Sequence, residues 1–150
     1  MHHRRLGLPF LVLAALTLAL VGAAPAAAGG RPFSTTLSGP SEVPAGDPDA
    51  TGSATVWINP GTGTVCYEWS VSNAVTPIAA AHIHHAVAGV AGAVVVPLPP
   101  TGPSSGAGCT TGVSRSLALD IIRHPWEYYV NTHNSEFPAG VARGQLSRTP

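Results

Sequence analysis

The chain contains no lysine, and charged residues make up only 9% of it. The cations are all arginine, and beyond Arg4-Arg5 none of them cluster. A nucleic-acid partner requires a basic stripe, so that class is excluded. After the N-terminal segment no stretch is long and apolar enough to span a bilayer, so no membrane span is expected in the mature chain. Cysteine occurs only twice, at Cys66 and Cys109. Between Ala86 and Gly112 there is no histidine, aspartate or glutamate. No internal repeat stands out. No paired-carboxylate motif or Ser–His–Asp order is present, which argues against a hydrolase built on a nucleophile. Asp120 and His124 are four apart in a short helical pattern, a spacing that by itself carries no chemistry.

What is present begins with a leader. His2, His3, Arg4 and Arg5 precede an apolar run from Leu6 to Val21, and Ala24-Pro25-Ala26 and Ala26-Ala27-Ala28 offer small-x-small cleavage sites. Residues 1–28 therefore read as a signal peptide, removed from a secreted protein. Residues 29–150 remain, enough for one domain with one core at about 33–147. Five arginines against seven acids leave this part mildly acidic. Arginine in place of lysine, with abundant alanine, points to a bacterial source. In an exported chain the two cysteines read as one disulfide, with joint metal ligation as the rival.

The mature part is rich in Gly, Pro, Ser, Thr and Val, a composition suited to β structure. Period-two alternation marks strands at Phe33–Ser38, Thr51–Ile58 and Thr64–Ser72. Asn59-Pro60-Gly61-Thr62-Gly63 is the turn between the last two. Val65, Tyr67, Trp69 and Val71 form the strongest core face. Further strands are expected around His82–His84, over the apolar run Ala93–Leu98, at Glu127–His133 and at Val141–Ser147. Gly39–Asp49 and Pro99–Gly112 read as loops, and Leu117–His124 as a short helix closed by Pro125. About seven strands and one short helix predict an all-β, antiparallel Greek-key β-sandwich or flattened barrel.

The chemistry concentrates in Ala81-His82-Ile83-His84-His85. On a strand, His82 and His84 share one face while Ile83 and His85 take the other. Two imidazoles at that spacing suit a single metal ion. Tyr129, Asn131 and His133 share a face of a later strand, so His82, His84 and His133 are the candidate metal ligands. Copper is favoured over zinc by the affinity order of imidazole sites. Asn131 is expected to orient a ligand from behind. Arg143 is expected to bridge to Glu136 or Glu42, or to meet an anion. The alternative is that the histidines, Asn131, Tyr129 and Glu136 form a buried hydrogen-bonded network that fixes strand register and binds nothing. His85 and His124 read as surface residues. Trp57, Tyr67, Trp69 and Trp126 read as core and rim packing.

Leu37-Ser38-Gly39-Pro40-Ser41-Glu42-Val43-Pro44, Ala81-His82-Ile83-His84, Gly92-Ala93-Val94-Val95-Val96-Pro97-Leu98, Tyr128-Tyr129-Val130-Asn131-Thr132-His133, Phe137-Pro138-Ala139-Gly140 and Arg143-Gly144-Gln145-Leu146 together resemble the chordin-type CHRD domain. The resemblance covers about Phe33 to Leu146 and implies an immunoglobulin-like β-sandwich. The His82-Ile83-His84 strand is also similar, more distantly, to the copper-binding strand of copper–zinc superoxide dismutases. The ligand-free stretch from Ala86 to Gly112 departs from that pattern and argues against a zinc subsite and the usual dismutase activity.

Three functions follow from these residues. The first is an extracellular binding or structural module that holds a transition metal. The second is a copper-dependent redox enzyme on the same site, favoured by an open coordination position beside Arg143. The third is a protein-interaction domain with a structural histidine network and an exposed apolar patch. The partner expected is an extracellular protein or a small ligand.

Overall fold

The computed structural model describes residues 29–149, so the expected signal peptide at 1–28 lies outside the described residues. Nine strands form one antiparallel sheet: β1 (Arg31–Ser38), β2 (Thr51–Asn59), β3 (Thr64–Ser72), β4 (Ala80–His85), β5 (Ala93–Pro97), β6 (Ser105–Thr111), β7 (Tyr128–His133), β8 (Ala142–Gln145) and β9 (Ser147–Arg148). The spatial order is β5-β4-β7-β8-β1-β2-β3-β6, with β9 beside β1. The order is non-sequential at β4–β7, β8–β1 and β3–β6.

The sheet curls until its two edge strands approach. Side chains of β3 and β6 reach across to carbonyls at and just after the end of β5. Trp69 Nε1 donates to Leu98 O at 3.0 Å, Tyr67 OH to Pro99 O at 3.0 Å, and Thr110 Oγ1 to Pro97 O. The result is a nearly closed, flattened barrel, and the all-β expectation holds. Its interior collects the alternating apolar residues read from the sequence. Phe33, Leu37, Ala54, Val56, Ile58, Val65, Trp69, Ile83 and Val130 are all buried there. Trp69 is core as expected, whereas Trp126 is exposed.

Two corrections raise the strand count from about seven to nine. The expected last strand divides into β8 and β9. The stretch Ser105–Thr111, expected to be loop, is β6, paired with β3 from Thr64↔Thr111 to Ser70↔Ser105. Its sequence lacks apolar alternation because its work is to lie against the aromatics of β3. A Cβ on Gly106 would sit 2.5 Å from Trp69 Nε1 and 2.7 Å from Pro99 O. Only glycine lets the backbone come that close. Cys66 and Cys109 are directly opposed in this pairing and form a disulfide.

The helix α1 (Arg115–Arg123) starts at Ser114, whose Oγ accepts from Leu117 N–H at 3.2 Å. This is a serine N-cap. Pro125 follows the helix end. Ala118, Ile121 and Ile122 bury one face of the helix. No helix among the described residues is long and apolar enough to cross a membrane.

Candidate metal centre

Strand pairing builds the site. Across β4 and β7 the partners are His82↔Asn131, Ile83↔Val130 and His84↔Tyr129. Across β7 and β8 they are Asn131↔Arg143 and Tyr129↔Gln145. Ile83 and Val130 point into the apolar core, so alternation sends His82, His84, Tyr129, Asn131 and Arg143 to the opposite face. That face is covered by loops. Glu42 reaches it from the segment after the short 3-10 turn Gly39–Ser41, and residues 86–92 close over Arg143.

The sequence-predicted triad meets. His82, His84 and His133 each offer a ring nitrogen, and those three atoms lie within 4.8 Å of one another, a group that could hold a metal ion. Ring centroids are 5.6 Å apart for His82–His84, 5.2 Å for His82–His133 and 6.1 Å for His84–His133. His84 is buried, and the other two are half-buried. All three pKa values are pushed down, which favours the neutral, metal-binding form. Burial is the first cause in each. For His82, pushed down to about 4, repulsion from His133 and His84 adds to it.

Backbone carbonyls set the tautomers. His84 Nδ1 lies 2.9 Å from Gly92 O, and His133 Nδ1 lies 3.1 Å from Pro138 O. A carbonyl only accepts, so Nδ1 carries the hydrogen in both rings and the lone pair is on Nε2. This is the usual support behind a metal-ligating imidazole. His84 Nε2 and His82 Nδ1 are buried with no hydrogen-bond partner. A purely structural network would satisfy those atoms. His133 Nε2 behaves differently, lying 3.0 Å from Asn131 Oδ1.

A stack supports His84 from behind. Its ring lies on Tyr129, with centroids 4.8 Å apart, and the Arg143 guanidinium carbon lies 3.5 Å from the Tyr129 centroid on a cation–π contact. Gly92 ties the stack to the next loop, since its carbonyl meets His84 and its N–H donates to Tyr129 OH at 3.1 Å. A Cβ there would strike His85 O at 2.1 Å, so the loop requires glycine at 92.

Arg143 departs from expectation. Among the described residues it forms no salt bridge with Glu136 or Glu42. It donates instead to Val90 O at 2.9 Å, to Val87 O at 3.4 Å and to Gln145 Oε1 at 3.4 Å. Glu136 is exposed in the turn after β7, and its backbone N–H donates to Asn134 Oδ1. The carboxylate inside the polar cluster is Glu42, buried and facing the Asn131 side chain. Burial, opposed by the charge of Arg143, pushes its pKa up to about 7. A glutamate in a Pro- and Gly-rich loop gives no sequence sign of burial. The nearest hint was its place in the Ser41-Glu42-Val43-Pro44 motif.

The Asp120–His124 spacing does make a contact. His124 Nδ1 is 2.9 Å from Asp120 Oδ1, and Tyr128 OH donates to the other carboxylate oxygen. This surface cluster lies outside the triad. His85 also faces away from it, stacked on Tyr128.

A nearly closed antiparallel barrel with histidines gathered on one outer face defines an all-β domain with a candidate ligand cluster. The CHRD domain family model matches residues 33–146, and the chain belongs to that family. No curated protein and no solved structure matches the chain.

Proposed function

We propose that this CHRD-domain protein is an extracellular binding module that holds one transition metal ion, copper in preference to zinc, on His82, His84 and His133. The carrying observation is the pair of buried, unpartnered ring nitrogens, His82 Nδ1 and His84 Nε2, beside His133. Leaving such atoms unpaired costs about 1–3 kcal/mol each, a cost that a metal–nitrogen bond removes. Three imidazoles without a thiolate or carboxylate suit copper(II) best among the common divalent ions. A bound copper would supply Lewis acidity and one-electron chemistry. The chain's own residues hold the rings: Gly92 O and Pro138 O fix the tautomers, and Tyr129 with Arg143 fixes the plane of His84.

The module is favoured over a redox enzyme by the placement of Arg143. Its guanidinium is buried against Tyr129 and two loop carbonyls and is not offered to an incoming anion. A protein partner fits the same surface. Val87, Val90 and Val94, on or paired beside the loop that covers the centre, are each about half exposed. Secretion through cleavage of residues 1–28 would place the module outside the cell, where its disulfide persists.

The test is elemental analysis of the mature protein purified without a histidine tag, followed by copper(II) and zinc(II) titration. One equivalent of metal is expected, lost in the His82→Ala/His84→Ala variant while the fold survives. No binding at micromolar metal would overturn the assignment and leave a structural histidine network.

A further inference from the structure

Around Asn131 the hydrogens of a neutral His133 do not match the atoms they face. His133 has its Nδ1 hydrogen on Pro138 O, so its Nε2 is bare, yet the atom facing Nε2 at 3.0 Å is an amide oxygen. Two acceptors face each other there. Charging His133 would relieve the conflict, but it would put an imidazolium among two other rings, 5.2 Å from His82 and 6.1 Å from His84. The remaining relief is a half-turn of the Asn131 amide. Its NH2 group then donates to His133 Nε2, and its oxygen turns to Glu42. For that contact to be a hydrogen bond, Glu42 must carry a proton.

Glu42 is suited to holding one. It is 6% exposed, and its Oε1 has no hydrogen-bond partner. A Cβ on Gly140 would lie 2.3 Å from its carboxyl carbon, so the backbone packs directly on the acid and excludes water. The groups facing it are Asn131 from β7, the Arg143 charge from β8 and the Val43 N–H of its own loop. Asp47, buried in the same loop, turns Oδ1 to the Asp49 N–H instead.

We propose that Glu42 is the charge-compensating residue of the histidine centre, acting through Asn131: seating a divalent cation on the triad expels one proton from Glu42 to solvent. The inference rests on the triad being a metal site. In the empty state the acid donates to the amide oxygen, and the amide NH2 donates to His133 Nε2. When His133 Nε2 gives its lone pair to the cation, it no longer accepts from the amide. The amide turns, and its NH2 donates to the Glu42 carboxylate. One dication enters and one proton leaves, so the pocket gains one positive charge in place of two. Glu42 touches none of the ligands and is a positioning residue.

Calorimetric zinc(II) titration of the whole mature protein tests this, in paired buffers of different ionisation enthalpy at about pH 6 and about pH 8.5. Near pH 6 a group titrating at about 7 is roughly nine-tenths protonated. Wild type should then release close to one proton more per zinc than Glu42→Gln, which mimics the protonated acid and keeps one equivalent of zinc. At about pH 8.5 the difference should vanish. Equal proton counts in the two proteins near pH 6, each binding one zinc, would overturn the role of Glu42 and leave the metal site standing. If Glu42→Gln does not fold, a wild-type count of zero near pH 6 overturns it equally. Where zinc(II) does not bind, the same proton count is made with copper(II), and no binding of either ion by wild type overturns both the metal site and this coupling.

Discussion

Acid should destabilise the metal-free protein through His82 in particular. In the folded chain this imidazole is held at about 4, by burial first and by the neighbouring rings second. In the unfolded chain it titrates near its ordinary value of 6.5. Between those values the unfolded state binds a proton that the folded state refuses, so stability falls as pH drops from about 6.5 to about 4. At about 1.4 kcal/mol per pH unit, the interval is worth about 3 kcal/mol. His84 and His133 are shifted in the same direction and add to the loss. Glu42 works in the opposite sense. Its folded value, about 7, lies above the ordinary 4.5, so its contribution is full at low pH and is lost as pH rises through 7. The wild-type curve is therefore flatter than either group alone would make it, and a variant must separate them. The assay is urea unfolding in chelator at several pH values from about 4 to about 7.5, for wild type and His82→Gln. The stability gap between the two proteins should shift by about 3 kcal/mol in favour of the variant on going from pH 7 to pH 4. A gap that stays constant with pH would refute the buried, proton-refusing state of His82.

Replacing Cys66 with serine should cost up to about 4 kcal/mol under oxidising conditions, the chain-entropy value for a loop of this length, and almost nothing beside reduced wild type. Equal losses in oxidising and reducing urea titrations would remove the disulfide from the stability account. Tyr128→Phe should raise the Asp120 pKa towards the ordinary carboxylate value, because the phenol is the first cause holding it down and His124 the second. A carboxyl carbon titration by NMR that did not move would refute that order.

Much of the barrel was legible because side chains on a strand alternate. Phe33 and Leu37, Ala54, Val56 and Ile58, and Val65, Tyr67, Trp69 and Val71 each announce a buried face without reference to their partners. The same rule put His82 and His84 on one face of their strand and Tyr129, Asn131 and His133 on one face of theirs. It could not read β6, where Gly106 is present to make room for Trp69, because that reason lies on a different strand.

The sequence by itself determined the strand periodicity, the short helix closed by Pro125, the turn before β3 and the set of ligating side chains available. Those are local properties, carried by residues within a few positions of one another. Tertiary structure decided what is non-local. The β4–β7 pairing brought His133 to the pair on β4. The carbonyls of Gly92 and Pro138, identical as backbone atoms to any others, were given the task of fixing two tautomers. Arg143 was drawn onto Tyr129 and the 86–92 loop and away from the acids expected to pair with it. A loop glutamate was buried against Gly140 and Asn131. Desolvation depends on what the rest of the chain places around a group, and residue order does not record that.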